Sequence, residues 1–299
     1  MRNAFAAAVT SLASECPELV LLYADIGNRL FDPFKSQFPG RYFNCGIAEA
    51  NMTTVAAGMA LEGLRPVTYT ISSFNSYRCF EQIRLDVCYQ NLPVIIVGVG
   101  AGLSYAPLNA THHSLEDVGI MRTLPNLTVM CPADPHEVTA AMRAALRHPG
   151  PVFMRIGKKG EPAVHAGVPE LTIGKALPLR NGKKVAILAS GTIMKYALDA
   201  AGQLDAALWS FHTVKPLDEV LLAEIFAQYE LVVTCEEHSL IGGLGSAVAE
   251  WCVGTSYGRK LLRLGTPDRF LAYTGNQAAA LAGTGLDAKG IIAAIQEKL

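Results

Sequence analysis

Apolar residues in this chain come in dense, strand-length runs separated by stretches with helical spacing. Leu19–Ala24 and Val94–Val99 are apolar or aromatic throughout, and Val67–Ile71, Leu127–Cys131 and Pro151–Ile156 are strand-length runs rich in β-branched and apolar residues. Runs of that kind predict strands covered on both faces, as in a parallel sheet. Between them the pattern turns helical. An alanine-rich segment spans about residues 2–15. Met52, Val55, Ala56 and Met59 follow Ala48 at helical spacing, and further helices are expected near Tyr77–Tyr89 and Leu115–Thr123. Asp134-Pro135 reads as an N-cap and first helical position for a helix running to Arg147. Strand and helix in alternation predict right-handed crossovers.

From Gly157 to about Lys183 the periodicity stops, and a second alternation follows. Strands are expected at Val185–Ala189, Ala207–Phe211, Leu231–Cys235 and Lys260–Leu264, with helices from Pro216 and near Ser246–Cys252. The pattern predicts an α/β chain of two successive domains, each a mainly parallel sheet flanked by helices. Their expected extents are residues 1–160 and 183–299, joined by a linker over 161–182.

Composition narrows the function classes. The chain is 51% hydrophobic and 17% charged, which suits a large parallel core or a surface hidden in an oligomer. A net charge of −1 without any basic stripe gives no sign of nucleic-acid binding. The apolar runs are too short for membrane spans. Seven widely spaced cysteines with no C-x-x-C pattern predict buried thiols in a reducing cytoplasm rather than disulfides or a zinc site.

Five segments carry a more specific message. They are RYFNCGIAEAN at 41–51, TISSFNSYRCFEQIRLDV at 70–87, THHSLEDVGIMRTLPNLTVMCPAD at 111–134, VKPLD at 214–218 and EEHSLIGGLGSAVAE at 236–250. In this order they resemble the transketolase family, which includes deoxyxylulose-phosphate synthase and the beta subunits of 2-oxo-acid dehydrogenases. The resemblance covers nearly the whole chain and implies a pyrimidine-binding domain followed by the family's C-terminal domain, with thiamine diphosphate as cofactor. The family's diphosphate and metal signature, G-D-G followed by Asn, is absent from the 299 residues. The resemblance therefore implies the C-terminal half of a split enzyme. An N-terminal partner subunit would hold the diphosphate and Mg²⁺ (or Ca²⁺), in an expected α2β2 heterotetramer acting on a small sugar.

Site roles come from the same resemblance. Glu49 matches the glutamate hydrogen-bonded to pyrimidine N1′, where a carboxyl group assists proton removal from the cofactor; taken alone it is also an ordinary first-turn glutamate. Phe74 matches an aromatic of the slot around the ring, Ile71 stands where transketolases often carry another phenylalanine, and Tyr77 occupies a third matching position, although each also suits a core position. His112 matches the histidine facing the reacting carbons, and His113 beside it is a second substrate candidate. Asp25 ends the first apolar run, where the family has an aspartate near the cofactor and where a turn cap is equally expected. Arg155 matches an arginine that grips substrate phosphate, and Arg29, Lys158 and Lys159 are further cations for the same mouth. No metal ligand set is expected in this chain. Glu236, Glu237 and His238 read as a domain-interface feature, and Gly242–Gly245 as a turn before a helix.

The loop 98–110 departs from sugar-phosphate transketolases, which carry a histidine and an acidic residue at the positions of Gly100 and Leu108. Losing those partners weakens selection for an ordinary ketose phosphate. Ketol transfer is the leading expectation, with decarboxylation of a 2-oxo acid and a non-catalytic scaffold as alternatives.

Overall fold

The computed structural model describes residues 1–27, 29–272 and 275–299 and contains two sheets. The first is built from β1 (Leu19–Tyr23), β2 (Tyr42–Asn44), β3 (Arg65–Ile71), β4 (Ile95–Val99), β5 (Thr128–Met130) and β6 (Val152–Ile156). The second is built from β7 (Leu177–Arg180), β8 (Val185–Ser190), β9 (Ala207–Ser210), β11 (Leu231–Ser239) and β12 (Leu261–Thr266). The intervening strand, β10 (Thr213–Lys215), crosses back. The orders are β10-β5-β6-β4-β3-β1-β2 and β12-β11-β8-β9-β7, parallel except at β10 and β7.

The dense apolar runs are explained by burial on both faces. Val20 and Leu22 of β1 enter one core while Leu19, Leu21 and Tyr23 enter the opposite one; Val94 and Ile96 separate likewise from Ile95 and Val97. Successive side chains of a strand point to opposite faces, so a strand buried twice has no polar alternation to show. The first of these cores does not stop at the domain boundary. It continues through Leu188, Phe211, Phe226, Leu244 and Val248 of the second half. At about 1.5–3 kcal/mol per fully buried large side chain, that shared core ties the halves together strongly.

Three local expectations are revised. Residues 213–215, placed by sequence in the second domain, add antiparallel to β5 as an edge strand of the first sheet. The following helix runs Glu219–Gln228, with Asp218 rather than Pro216 at its start. The helix expected near Tyr77–Tyr89 starts later, as Phe80–Gln82 running into a π-helix Ile83–Tyr89, and a separate short helix Ser72–Ser76 precedes it. Asp134 does cap Pro135–Arg147, accepting from Glu137 N at 2.8 Å. All seven cysteines are free thiols, though Cys16 and Cys45 are only half-buried.

Candidate active site

Parallel strands place their carboxyl ends on one edge of a sheet, and loops at that edge form the ligand sites of α/β folds. Here the carboxyl ends of β1, β2, β3, β4 and β6 lead respectively to Asp25, Glu49, Phe74, the 100–112 loop and Lys158. Topology therefore gathers most of the residues singled out in the sequence.

Glu49 is the first residue of the helix Glu49–Leu61, whose N-cap Ala48 offers no side-chain oxygen. A carboxylate there is favoured by the helix dipole. The residue is only 4% exposed, and its Oε1 and Oε2 accept from Arg78 Nη1 at 3.1 and 3.2 Å. The Arg78 guanidinium carbon lies 3.8 Å from the centroid of Phe74. Phe74 in turn meets the His112 ring edge-on, centroids 5.2 Å apart. Glu49, Arg78, Phe74 and His112 thus form one continuous cluster. Arg78 was not singled out by sequence; its position four residues after Phe74, inside the segment 70–87, is the signal that could have found it.

His112 follows the tight turn Ala106–Thr111 and is half-buried. Its Nδ1 lies 2.8 Å from Thr111 Oγ1, which donates its own proton to Leu108 O at 3.0 Å. That contact engages Nδ1, and Nε2 has no hydrogen-bond partner among the described residues. Burial, then the charges of Arg78 and His113, pushes the imidazole below the ordinary histidine value, so it is neutral near pH 7. A second ring, Tyr105, packs 5.9 Å from His112. It reaches that place because Gly100 has no side chain: a Cβ there would sit 2.1 Å from the tyrosine ring. Lys158 Nζ stands 4.5 Å from the centroid of Tyr105, a second cation on this ring cluster after Arg78.

The remaining candidates divide. Ile71 is buried at the end of β3 and caps the start of Ser72–Ser76, beside Phe74. Tyr77 turns outward and donates to Glu116 Oε2 at 2.7 Å. Asp25 adopts a left-handed conformation (φ 46°) and accepts from Asn44 Nδ2 at 3.0 Å, which ties the end of β1 to the strand leading to Glu49. Arg29 is exposed in the following turn, and no contact among the described residues joins it to Glu49, Phe74 or His112.

Two expectations need correction. Arg155 does not face a substrate mouth: it is 2% exposed, and its Nε and Nη2 face groups inside the protein. Its Nε pairs with Asp117 Oδ2 at 3.1 Å, and Nη2 donates to Ser114 O at 2.6 Å and Glu237 O at 2.7 Å. His113 is likewise buried, its Nε2 3.1 Å from Ala106 O, so it braces the 100–112 loop instead of meeting substrate. Glu237 is buried between the halves, accepting from Leu103 N, Thr192 Oγ1 and Gln277 Nε2, and Glu236 caps the helix Leu244–Cys252 through Leu244 N and Gly245 N.

A half-buried aromatic face beside a carboxylate at a helix start fits a flat, hydrogen-bonding heterocycle such as an aminopyrimidine. Among the described residues, no group of three His, Cys, Asp or Glu could hold a metal ion.

Comparisons with known proteins agree with this geometry. Residues 1–161 match the transketolase pyrimidine-binding domain and residues 174–291 the transketolase C-terminal domain. The chain is 42% identical over 265 residues to the 1-deoxy-D-xylulose-5-phosphate synthase of Azoarcus sp. (strain BH72), covering 88% of this chain and 42% of that one. It is 42% identical over 267 residues to the corresponding protein of Bordetella pertussis (strain Tohama I), covering 89% and 43%. The chain thus spans less than half the length of these curated relatives. Among solved structures, one described as a split gene transketolase, inactive beta4 tetramer, superposes with a TM-score of 0.89 at 36% identity, covering 100% of this chain and 97% of that one. Transketolase from Leishmania mexicana shares the fold (TM-score 0.81, 21% identity, 99% and 45% covered). The chain belongs to the transketolase family, in which it carries the pyrimidine-binding domain followed by the C-terminal domain.

Proposed function

We propose that this chain is the C-terminal subunit of a split thiamine-diphosphate-dependent transketolase, moving a two-carbon ketol unit from a ketose to an aldose. The carrying observation is the contact chain from Glu49 through Arg78 and Phe74 to His112 at the carboxyl edge of the first sheet. When bound, the cofactor supplies a nucleophilic carbon that water and side chains cannot provide. Phe74 presents a face for the pyrimidine, and Ile71 closes the apolar side of the slot. The Glu49 carboxyl holds a proton at N1′. His112, neutral and with Nε2 free, takes or returns a proton at a substrate oxygen. Lys158 takes over the charge role first expected of Arg155, offering an ammonium beside Tyr105 to a substrate phosphate or hydroxyl.

The diphosphate and its Mg²⁺ fall to an N-terminal partner subunit in an α2β2 assembly. Ile47, Val55 and Leu61 flank or lie on the Glu49 helix, and they are 79%, 38% and 67% exposed. Apolar exposure on that scale beside the site is what a docked subunit would cover. A relative described as an inactive tetramer of beta chains alone accords with a chain that needs that second subunit.

A second reading is decarboxylation of a 2-oxo acid, favoured by the 42% identity to 1-deoxy-D-xylulose-5-phosphate synthases. The test mixes the chain with its N-terminal subunit, thiamine diphosphate and Mg²⁺, then compares ketose cleavage with CO₂ release from pyruvate. Ketose cleavage without CO₂ supports transfer; CO₂ release alone replaces it with the second reading. Glu49→Gln should abolish turnover while the subunits still assemble, and full activity in that variant would refute both.

A further inference from the structure

Among the described residues, Arg78 is the side chain that hydrogen-bonds the Glu49 carboxylate. Thr53 Oγ1 donates only to the Glu49 backbone oxygen. The carboxylate is therefore aimed by one group. Arg78 is itself held by Phe74, its guanidinium carbon sitting over the ring 3.8 Å from the centroid. Glu49 is 4% exposed and Arg78 47%, so the arginine bridges a buried acid and the open edge of the site.

We infer that Arg78 is a positioning residue for the cofactor reaction: it locks the Glu49 carboxylate in one orientation beside the Phe74 ring, so that acid and ring present one rigid surface to the heterocycle. This rests on the thiamine reading above. A glutamate has three side-chain torsions, and its terminal one is soft. Without a partner, a buried carboxylate would also turn toward water to recover its lost hydration. The ion pair removes both freedoms, and the Phe74 ring keeps the guanidinium from following solvent. Lysine in the same place could hold the charge but lacks the planar guanidinium that meets carboxylate and ring together.

The experiment uses the assembled two-subunit complex with Arg78→Ala, Arg78→Lys, Glu49→Gln and the double variant Arg78→Ala/Glu49→Gln. Thiamine diphosphate affinity is measured by calorimetry, and kcat and KM are measured at saturating cofactor. Arg78→Ala should weaken cofactor binding about tenfold and lower kcat by about tenfold or more with little change in substrate KM, the size expected for a small misplacement of a reacting group. Arg78→Lys should recover part of both losses. In the Glu49→Gln background, Arg78→Ala should add no further loss of affinity, because its effect runs through that carboxylate. Equal melting temperatures would exclude misfolding as the cause. Cofactor binding in Arg78→Ala as tight as wild type or tighter would overturn the inference, tighter binding meaning that the guanidinium blocks the slot; so would additive losses. An inactive Glu49→Gln beside a fully active Arg78→Ala sinks only this inference, whereas a fully active Glu49→Gln sinks the thiamine reading itself.

Discussion

Arg155 Nε and Asp117 Oδ2 lie 3.1 Å apart with both side chains buried, and the pair pins three pieces of chain together. Arg155 comes from β6, Asp117 from the helix after the His112 loop, and Arg155 Nη2 reaches the backbone of Glu237 in the second sheet. Asp117 also accepts from the hydroxyls of Ser72 and Ser114. Through Ser72 and Ser114 the network reaches residues two positions from Phe74 and His112, so it fixes the backbone that carries both.

Breaking that pair should cost folding before chemistry. Arg155→Met leaves Asp117 buried without a counter-charge, a loss of about 3–5 kcal/mol for a broken buried pair. Urea denaturation of the single chain should show it directly. If Arg155 gripped substrate instead, stability would hold and only substrate KM would rise.

Gly100 should tolerate no side chain. It sits at φ +90°, and a Cβ would meet the Tyr105 ring at 2.1 Å. Gly100→Ala combines backbone strain with displacement of the ring packed on His112, together about 1–3 kcal/mol. Activity of the assembled enzyme should fall more than its melting temperature. Adding Tyr105→Ala should restore part of the lost stability, since it removes the clash and leaves the strain; no restoration would place the cost elsewhere.

Linker docking should weaken as pH rises. His165 Nδ1 lies 3.2 Å from Asp134 Oδ2 and Nε2 lies 3.4 Å from Glu137 Oε1, while the Val164 and His165 backbone N–H groups donate to the same Asp134 oxygen. Burial alone would lower the imidazole, but the Asp134 hydrogen bond and the two carboxylate charges outweigh it and raise His165 above its ordinary value. Close to it, in the turn between β9 and β10, His212 is pushed down to about 4 by burial and stays neutral. A histidine raised on folding stabilises fully below about pH 6.5, its unfolded value, and loses that contribution as pH climbs through the folded value. The melting-temperature gap between wild type and His165→Asn should therefore be widest in mild acid and narrow toward alkaline pH. A gap that widens instead would mean that His165 is not held charged.

Much of the architecture was legible in the residues because local chemistry dictates it. Runs such as Leu19–Ala24 and Val94–Val99 had to be doubly covered strands, and Asp134-Pro135 could only open a helix. The segments around Glu49, Phe74 and His112 carried the family likeness, and the folded chain brings those three together. The edge strand Thr213–Lys215 was not legible, since three residues have no periodicity and its pairing is with strand β5 about eighty positions earlier.

The chain's own residues determined its class, its two alternations and which carboxylate, ring and imidazole to watch, because apolar spacing and motif order are local properties. Only the tertiary structure decided that Arg155 points inward while Lys158 faces Tyr105, and that Arg78 stands between Glu49 and Phe74. Arg155 satisfies its charge with groups 38, 41 and 82 positions away, at Asp117, Ser114 and Glu237. Whether a cation at a strand end turns to solvent or to the core depends on partners that distant, and no window of sequence contains them.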